Sequence, residues 1–434
     1  MKFKSALPAL LATLLAGAAF AQTPAPATTP PAAAGPPAPP PYVTPQPGQP
    51  VDNNPPGSPG QKPAWVNQTR APYTPSRTRY VVKTLVDGLE NPWGLAFLPD
   101  GRMLVTERAG RIRIISDGKL SAPLDGVPPV HVQQISGLQD IVVDPHFAAN
   151  HLIYWTFVEP RSATTALSGV AVARGRLVDG EQPRVEDVTI IYRQKPDLIT
   201  QHSNYGGRML FDRDGSLFVT LGDRDGDAEN RHLIQDLSTG IGKIVRITTD
   251  GAAAKGDPFA GKAGAAPEIW ASGFRNPLGI TFRPGTKELW ATDVGPRGGD
   301  ELDRIKKGGD YGWPVINYGK EYTGKQIGEG TAKKGMQQPA YYWDPVISPS
   351  SVAFYDGAKF PEWKGDAFVT SLTQRHLARL ILKGDKVVGE ERLLTDLSER
   401  LREVKEAPDG SILLLTDSVT GRILKLSPTG RKGP

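Results

Sequence analysis

The chain contains no cysteine in its 434 residues. Disulfides, thiolate nucleophiles, thiolate metal ligands and iron–sulfur clusters are therefore excluded. Beyond the N-terminal segment, no apolar run approaches the ~18 residues that a membrane span needs, so the mature protein is expected to be soluble. A surplus of one charge sign is also missing. Lys and Arg total 51 against 46 Asp and Glu, a formal charge of +5. Two of those positives, Lys2 and Lys4, sit at the extreme N-terminus, and the rest are interleaved with acids. No nucleic-acid face is expected from such a pattern. The sequence also has no Gly-x-Ser-x-Gly elbow, no phosphate-binding glycine loop, no His-Glu-x-x-His and no dinucleotide fingerprint.

What is present begins with an export signal. Lys2 and Lys4 precede an apolar stretch, and Ala19-Phe20-Ala21 resembles a signal-peptidase site. The pattern predicts a signal peptide over 1–21 and a periplasmic or secreted product. Residues 22–77 are rich in proline and alanine without apolar periodicity. That composition predicts an unstructured, polyproline-like tether.

The folded part is expected over 78–430, and it repeats itself. Related segments occupy 94–108, 137–159, 207–224, 279–295, 351–372 and 404–418. Each reads as a strand, a Pro-Asp-Gly-like turn and a second strand of β-branched and aromatic residues. Third strands follow at 110–116, 242–248 and 421–427. Six such hairpins predict an all-β, six-bladed β-propeller. Helical pattern is scarce, and 300–308 is the best short candidate. In a propeller, loops at one end converge on the central channel, so polar residues flanking the repeat strands should gather there.

Five groups of residues stand at such places. In "ATDVGPRGGDELDR", Asp300 and Glu301 offer carboxylates, while Gly295 and Pro296 offer turn carbonyls. Hard oxygen donors of this kind suit calcium; equally, Asp300 could cap the next turn. Arg275 and Asn276 precede a strand, and the arginine fork suits a carboxylate or a neighbouring blade's acid. Arg400 and Arg402, two residues apart on a strand, share one face and need an anion or the nearby Glu399 and Glu403. His202 precedes the third hairpin, in the place for a general base or for an ordinary surface histidine. Asp223, Asp225 and Asp227 have some calcium character but read equally as turn acids.

Taken together, residues 80–428 resemble the glucose/sorbosone dehydrogenase family. The likeness lies in "NPWGLAFLPDGRMLVTER", "GGRMLFDRDGSLFVTLGDR", "ASGFRNPLGITF", "ATDVGPRGGDELDRI" with "YGWP", and "RLREVKEAPDGSILLLTD". The resemblance implies exported aldose dehydrogenases that carry pyrroloquinoline quinone (PQQ) and calcium on a six-bladed propeller. It implies that Arg275 and Asn276 contact the quinone and that Arg400 and Arg402 bind its carboxylates. By the same likeness Gly295 and Pro296 ligate calcium beside Asp300 and Glu301, and Trp313 and Tyr311 form an aromatic corner. Gln134 and Gln374 fall near two further cofactor contacts. The chain departs from the family at two places. Asn204 stands where the family has its catalytic histidine, with His202 two residues earlier. Thr373, Gln374 and Arg375 stand near the place of a quinone-contacting lysine. The expected reaction is oxidation of an aldose at C1 to the lactone, with His202 as base and electrons leaving to an external acceptor. The alternatives are a non-catalytic sugar- or partner-binding propeller and a calcium-dependent lactonase.

Overall fold

The computed structural model describes residue 1 and residues 39–199, 204–224 and 230–429. The expected signal peptide, His202, Asp225 and Asp227 lie outside the described residues. From residue 38 onward the chain forms one compact unit.

That unit is a six-bladed propeller, as the six hairpins predict. Each hairpin supplies the inner two strands of one antiparallel sheet: Pro92–Phe97 with Met103–Glu107, Leu138–Val143 with Leu152–Pro160, Gly206–Phe211 with Leu217–Leu221, Pro277–Phe282 with Leu289–Asp293, Pro349–Phe354 with Ala367–Ser371, and Leu401–Glu406 with Ile412–Thr416. We number the blades 1 to 6 in that order. Blade 6 takes its outermost strand, Tyr80–Leu89, from the front of the folded chain, where it pairs with Gly421–Pro428. The ring is thereby closed by both ends of the domain. Inner strands of successive blades pack around the circle, and blade 6 packs against blade 1. The core lies between blades, in apolar clusters such as Ile112 with Trp155 and Trp290 with Val369.

The inner strands share a further device. Each has a register shift near its start: Pro92/Leu95, Leu138/Ile141, Gly206/Met209, Pro277/Gly279, Pro349/Val352 and Leu401/Glu403. A bulge frees backbone groups from the ladder. Facing it, the second strand of every blade carries a fully buried threonine: Thr106, Thr156, Thr220, Thr292, Thr370 and Thr416. Thr220 Oγ1 accepts the Arg208 N–H at 2.9 Å and donates to the Pro277 carbonyl of the next blade at 2.7 Å. Thr106, Thr156, Thr292 and Thr370 likewise donate to Gln139, Gly207, Ser350 and Arg402 of their next blades. These hydroxyls stitch blade to blade beside the channel mouth.

Two expectations need correction. Residues 300–308 do not form a helix: Asp300–Ile305 is the third strand of blade 4, paired with Leu289–Asp293 and Tyr341–Trp343. Its charged residues sit at strand alternation, with Leu302 and Ile305 buried. The unstructured tether does not extend to residue 77. Residues 46–76 are packed on blades 4 and 5, with Val51 and Ala71 buried. Asp52 forms an ion pair with Arg392 at 2.9 Å, and Thr74 N–H donates to the Glu390 carbonyl at 3.0 Å. The proline-rich composition hides this because the segment takes its hydrogen bonds from strands far along the chain rather than from itself.

Candidate functional site

At the channel mouth all six blades line one open cleft of about 200 Å³. Trp93 comes from blade 1, Gln139 from blade 2, Asn204 to Gly206 from blade 3, and Arg275, Asn276 and Val294 from blade 4. Ser348, Leu372 and Thr373 come from blade 5, and Arg400 and Arg402 from blade 6. The four arginine and asparagine positions expected from sequence thus meet in one place.

Each is held by an acid at the end of a second strand. Asp293, the last residue of its strand, accepts the Arg275 N–H at 2.8 Å and the Asn276 N–H at 2.6 Å. This fixes the backbone where the chain enters blade 4. Arg275 Nη1 donates to the carbonyls of Val294 and Gly295 at 3.0 and 3.1 Å. Asn276 Oδ1 accepts the Gly206 N–H at 3.0 Å, tying blade 4 to blade 3. On blade 6, Asp417 Oδ2 accepts from Arg400 at 2.9 Å and from Arg402 at 2.8 Å. Burial raises the Asp417 carboxyl, but Arg402 and Arg400 outweigh it and hold the group down at about 2. Burial pushes the Arg402 guanidinium down to about 10, with Asp417 opposing. One carboxylate therefore serves two guanidiniums, and the wall keeps a net positive charge.

Trp313 supports the cleft from behind. Its indole N–H donates to Asp223 Oδ2 at 2.9 Å, and its ring centre lies 5.8 Å from the Arg275 guanidinium carbon. Asp223 Oδ1 accepts from Asn204 Nδ2 at 3.0 Å. Tyr311 is in the core, stacked on Phe274, with its hydroxyl donating to the Arg304 carbonyl. Gln134 is exposed on a left-handed turn (φ 51°), and the glutamine that lines the cleft is Gln139. Gln374 donates to the Val346 carbonyl at 3.4 Å, leaving Thr373 at the cleft wall.

The loop 294–300 borders the cleft through Val294. It is glycine-rich for steric reasons. A Cβ on Gly295 would lie 2.3 Å from the Gly299 carbonyl oxygen, and Gly299 itself has φ +72°. Asp300 is not an open ligand. Its carboxylate accepts the N–H groups of Gly295, Ile347 and Ser348 at 2.8, 2.7 and 2.6 Å, so it braces the loop. Glu301 lies opposite Asp293 in the strand register and does not line the cleft. Burial, then the charges of Asp303, Asp293 and Asp300, raises the Glu301 carboxyl.

Two observations test what the site can hold. The Nε of Arg402 and the Oε1 of Gln139 are buried at the cleft without a hydrogen-bond partner. An acidic, carbonyl-bearing ring system would satisfy the arginine forks, so PQQ fits the donor set. Both carboxylate oxygens of Asp303 are likewise buried and unpartnered, on the same strand face as Glu301. Burial, then the charge of Asp293, raises the Asp303 carboxyl, so its unpartnered oxygens do not by themselves call for a cation. Among the described residues no three acidic or histidine side chains converge as a metal cage. Calcium there would rest on the Gly295 and Pro296 carbonyls, water and ligand oxygens.

Sequence reasoning missed Trp93, Gln139 and Asp417 at this site. For Asp417 the available signal was the Thr-acid pair closing the second strand, as in Thr106-Glu107, Thr292-Asp293 and Thr416-Asp417.

Comparisons with known proteins agree with this fold. A family profile described as glucose / sorbosone dehydrogenase matches residues 89–425. The aldose sugar dehydrogenase YliI of Escherichia coli K12 is 41% identical over 351 residues, 80% of this chain and 92% of that protein. A crystal structure of the soluble aldose sugar dehydrogenase of Escherichia coli in the apo-form is 40% identical, with TM-score 0.76, over 81% of this chain and 100% of that one. The PQQ-bound form of the aldose sugar dehydrogenase from Streptomyces coelicolor is 28% identical, with TM-score 0.66, over 82% and 100% of the two chains. The chain belongs to the glucose/sorbosone dehydrogenase family.

Proposed function

We propose that the protein is a PQQ- and calcium-dependent aldose dehydrogenase, exported to the periplasm or beyond, that oxidises the sugar at C1 to the lactone and hands electrons to an external acceptor. The observation that carries this is the convergence of Arg275, Asn276, Arg400 and Arg402 on one cleft, with Arg402 Nε buried and unpartnered. The family relationship and the PQQ-bound relative support it.

In this reading, Arg400 and Arg402 neutralise the cofactor's carboxylates, and Arg275 and Asn276 orient its reactive edge. Trp93 closes the wall beside Arg402, its ring centre 5.7 Å from that guanidinium carbon. When bound, PQQ supplies the hydride acceptor and calcium polarises its carbonyl. His202 takes the C1 hydroxyl proton as general base; it lies outside the described residues, two positions before Asn204 of the cleft wall. Tyr322, 72% exposed at the cleft mouth, offers the sugar an aromatic face.

One observation favours the rival reading of a propeller that binds without turnover. Asn204 occupies the cleft wall with its amide committed to Asp223, and an amide cannot take a proton. The deciding experiment reconstitutes the protein with PQQ and calcium and follows dye reduction with a panel of aldoses, for wild type and His202→Ala. Turnover by the wild type with a loss of at least about a hundredfold in the variant supports the proposal. Cofactor binding with no turnover on any sugar contradicts it in favour of the binding module.

A further inference from the structure

We infer that residues 50–74 form a brace that positions the 295–299 loop, acting through Asp344. This strap precedes the family match, which begins at residue 89. It is nonetheless anchored by buried residues, Val51, Asp52, Ser58, Gln68 and Ala71. Gln68 is fully buried: its Nε2 donates to the Pro339 carbonyl at 2.9 Å, and its Oε1 accepts from the Tyr318 hydroxyl at 3.1 Å. Ala71 N–H donates to the Tyr341 hydroxyl at 3.0 Å. Both ends of the strap are fixed to the outer strand of blade 5, through Asp52 with Arg392 and Thr74 with Glu390.

The middle of the strap reaches the site-bearing corner. The N–H groups of Gly57 and Ser58 donate to the two oxygens of Asp344, at 2.5 and 3.1 Å. Arg70 Nε donates to the Asp344 carbonyl at 3.0 Å. Asp344 follows Trp343, whose carbonyl accepts the Gly299 N–H at 3.2 Å. The strap also touches the loop directly. A Cβ on Gly298 would lie 3.0 Å from Ser58 Cβ, and one on Gly57 would lie 3.1 Å from Asp344 Oδ1 and 3.4 Å from the Gly298 nitrogen. On its far side the same loop presents Val294 to the cleft and gives the Gly295 carbonyl to Arg275. The strap, Asp344 and the loop are thus a continuous path of hydrogen bonds from the outer wall to the cleft edge. Asp344 is a positioning residue in this path. Only the identity of the loop's ligand rests on the proposed function.

The test uses the full chain and two variants from opposite sides of the contact. Asp344→Asn weakens the acceptor, and Gly57→Val wedges the strap away from Asp344 and the loop while Asp344 keeps its carboxylate. Amide hydrogen exchange of residues 294–300 is measured in both, alongside global thermal unfolding and titration with calcium chloride. The brace predicts exchange in 294–300 about tenfold faster in both variants, with blades 1 and 2 as protected as in wild type. It also predicts severalfold weaker calcium binding. Unchanged exchange in 294–300, with faster exchange confined to the strap, overturns it. If Asp344→Asn fails to fold, Gly57→Val alone decides by the same criterion. Faster loop exchange in a protein whose wild type ignores calcium upholds the brace and refutes the cation reading of the loop.

Discussion

Asp417 determines how two guanidinium groups share one wall of the cleft. With its side chain only 6% exposed and bonded to both Arg400 and Arg402, it offsets one of their charges and leaves the other for an anionic ligand. Removing a buried partner costs on the order of 3 kcal/mol, so Asp417→Asn should lower the urea midpoint markedly. The folded-state value of about 2 lies below the ordinary 3.8. A depressed carboxyl contributes stability above its unfolded value and loses it as pH falls through the folded one. Wild type should therefore lose stability between about pH 4 and 2 more steeply than Asp417→Asn, as urea unfolding across that range would show. Tyr322 permits a second prediction at this scale. Its ring is exposed at the cleft mouth and makes none of the hydrogen bonds that hold the arginines. Tyr322→Ala should raise KM for the sugar severalfold with kcat nearly unchanged and PQQ affinity intact; steady-state kinetics and a PQQ titration would read this. The arginines were legible in sequence because each stands next to a recognisable repeat strand. Gln139 was not, because the bulge between Leu138 and Ile141 decides which glutamine faces inward, and bulges leave no mark in the apolar pattern.

The hairpin is the element from which both fold and site are made. Six of them were readable from alternation and turn chemistry, because a strand buried on one face and a Pro-Asp-Gly turn impose strong local patterns. The strand Asp300–Ile305 was misread because its charges serve loop bracing and inter-blade packing rather than a solvated helix face. The strap was misread for a related reason. Its partners lie hundreds of residues along the chain, as Asp52 on Arg392 shows, so nothing local betrays them. The threonine ring is the element-scale feature that most directly joins fold to function. Its acceptors are the carbonyls of Gln139, Pro277 and Arg402 among others, on the bulges that carry site residues. Thr220→Val keeps the shape but leaves the Arg208 N–H and the Pro277 carbonyl unsatisfied. The expected loss is about 1–3 kcal/mol, seen as a lower urea midpoint. Because Pro277 follows Asn276, PQQ affinity should fall as well, even though Thr220 does not line the cleft.

At the scale of the whole molecule, the ring turns scattered sequence positions into neighbours. Trp93 and Arg402 stand at opposite ends of the domain's sequence yet line the same cleft, because blade 6 packs against blade 1 and is closed by the strand Tyr80–Leu89. The propeller could be read from the repeat, and its mouth could be named as the site from geometry alone. The particular chemistry could not, since a ring of loops serves any ligand whose charge the loops match. The proposed function requires that the positive wall of this one cleft bind an acidic cofactor. Equilibrium titration of the protein with PQQ, followed by absorbance for wild type and Arg402→Gln, tests this most directly. The account predicts saturable one-to-one binding by the wild type and at least about tenfold weaker binding by the variant. Absence of binding by the wild type, or equal affinity in the two proteins, would contradict it.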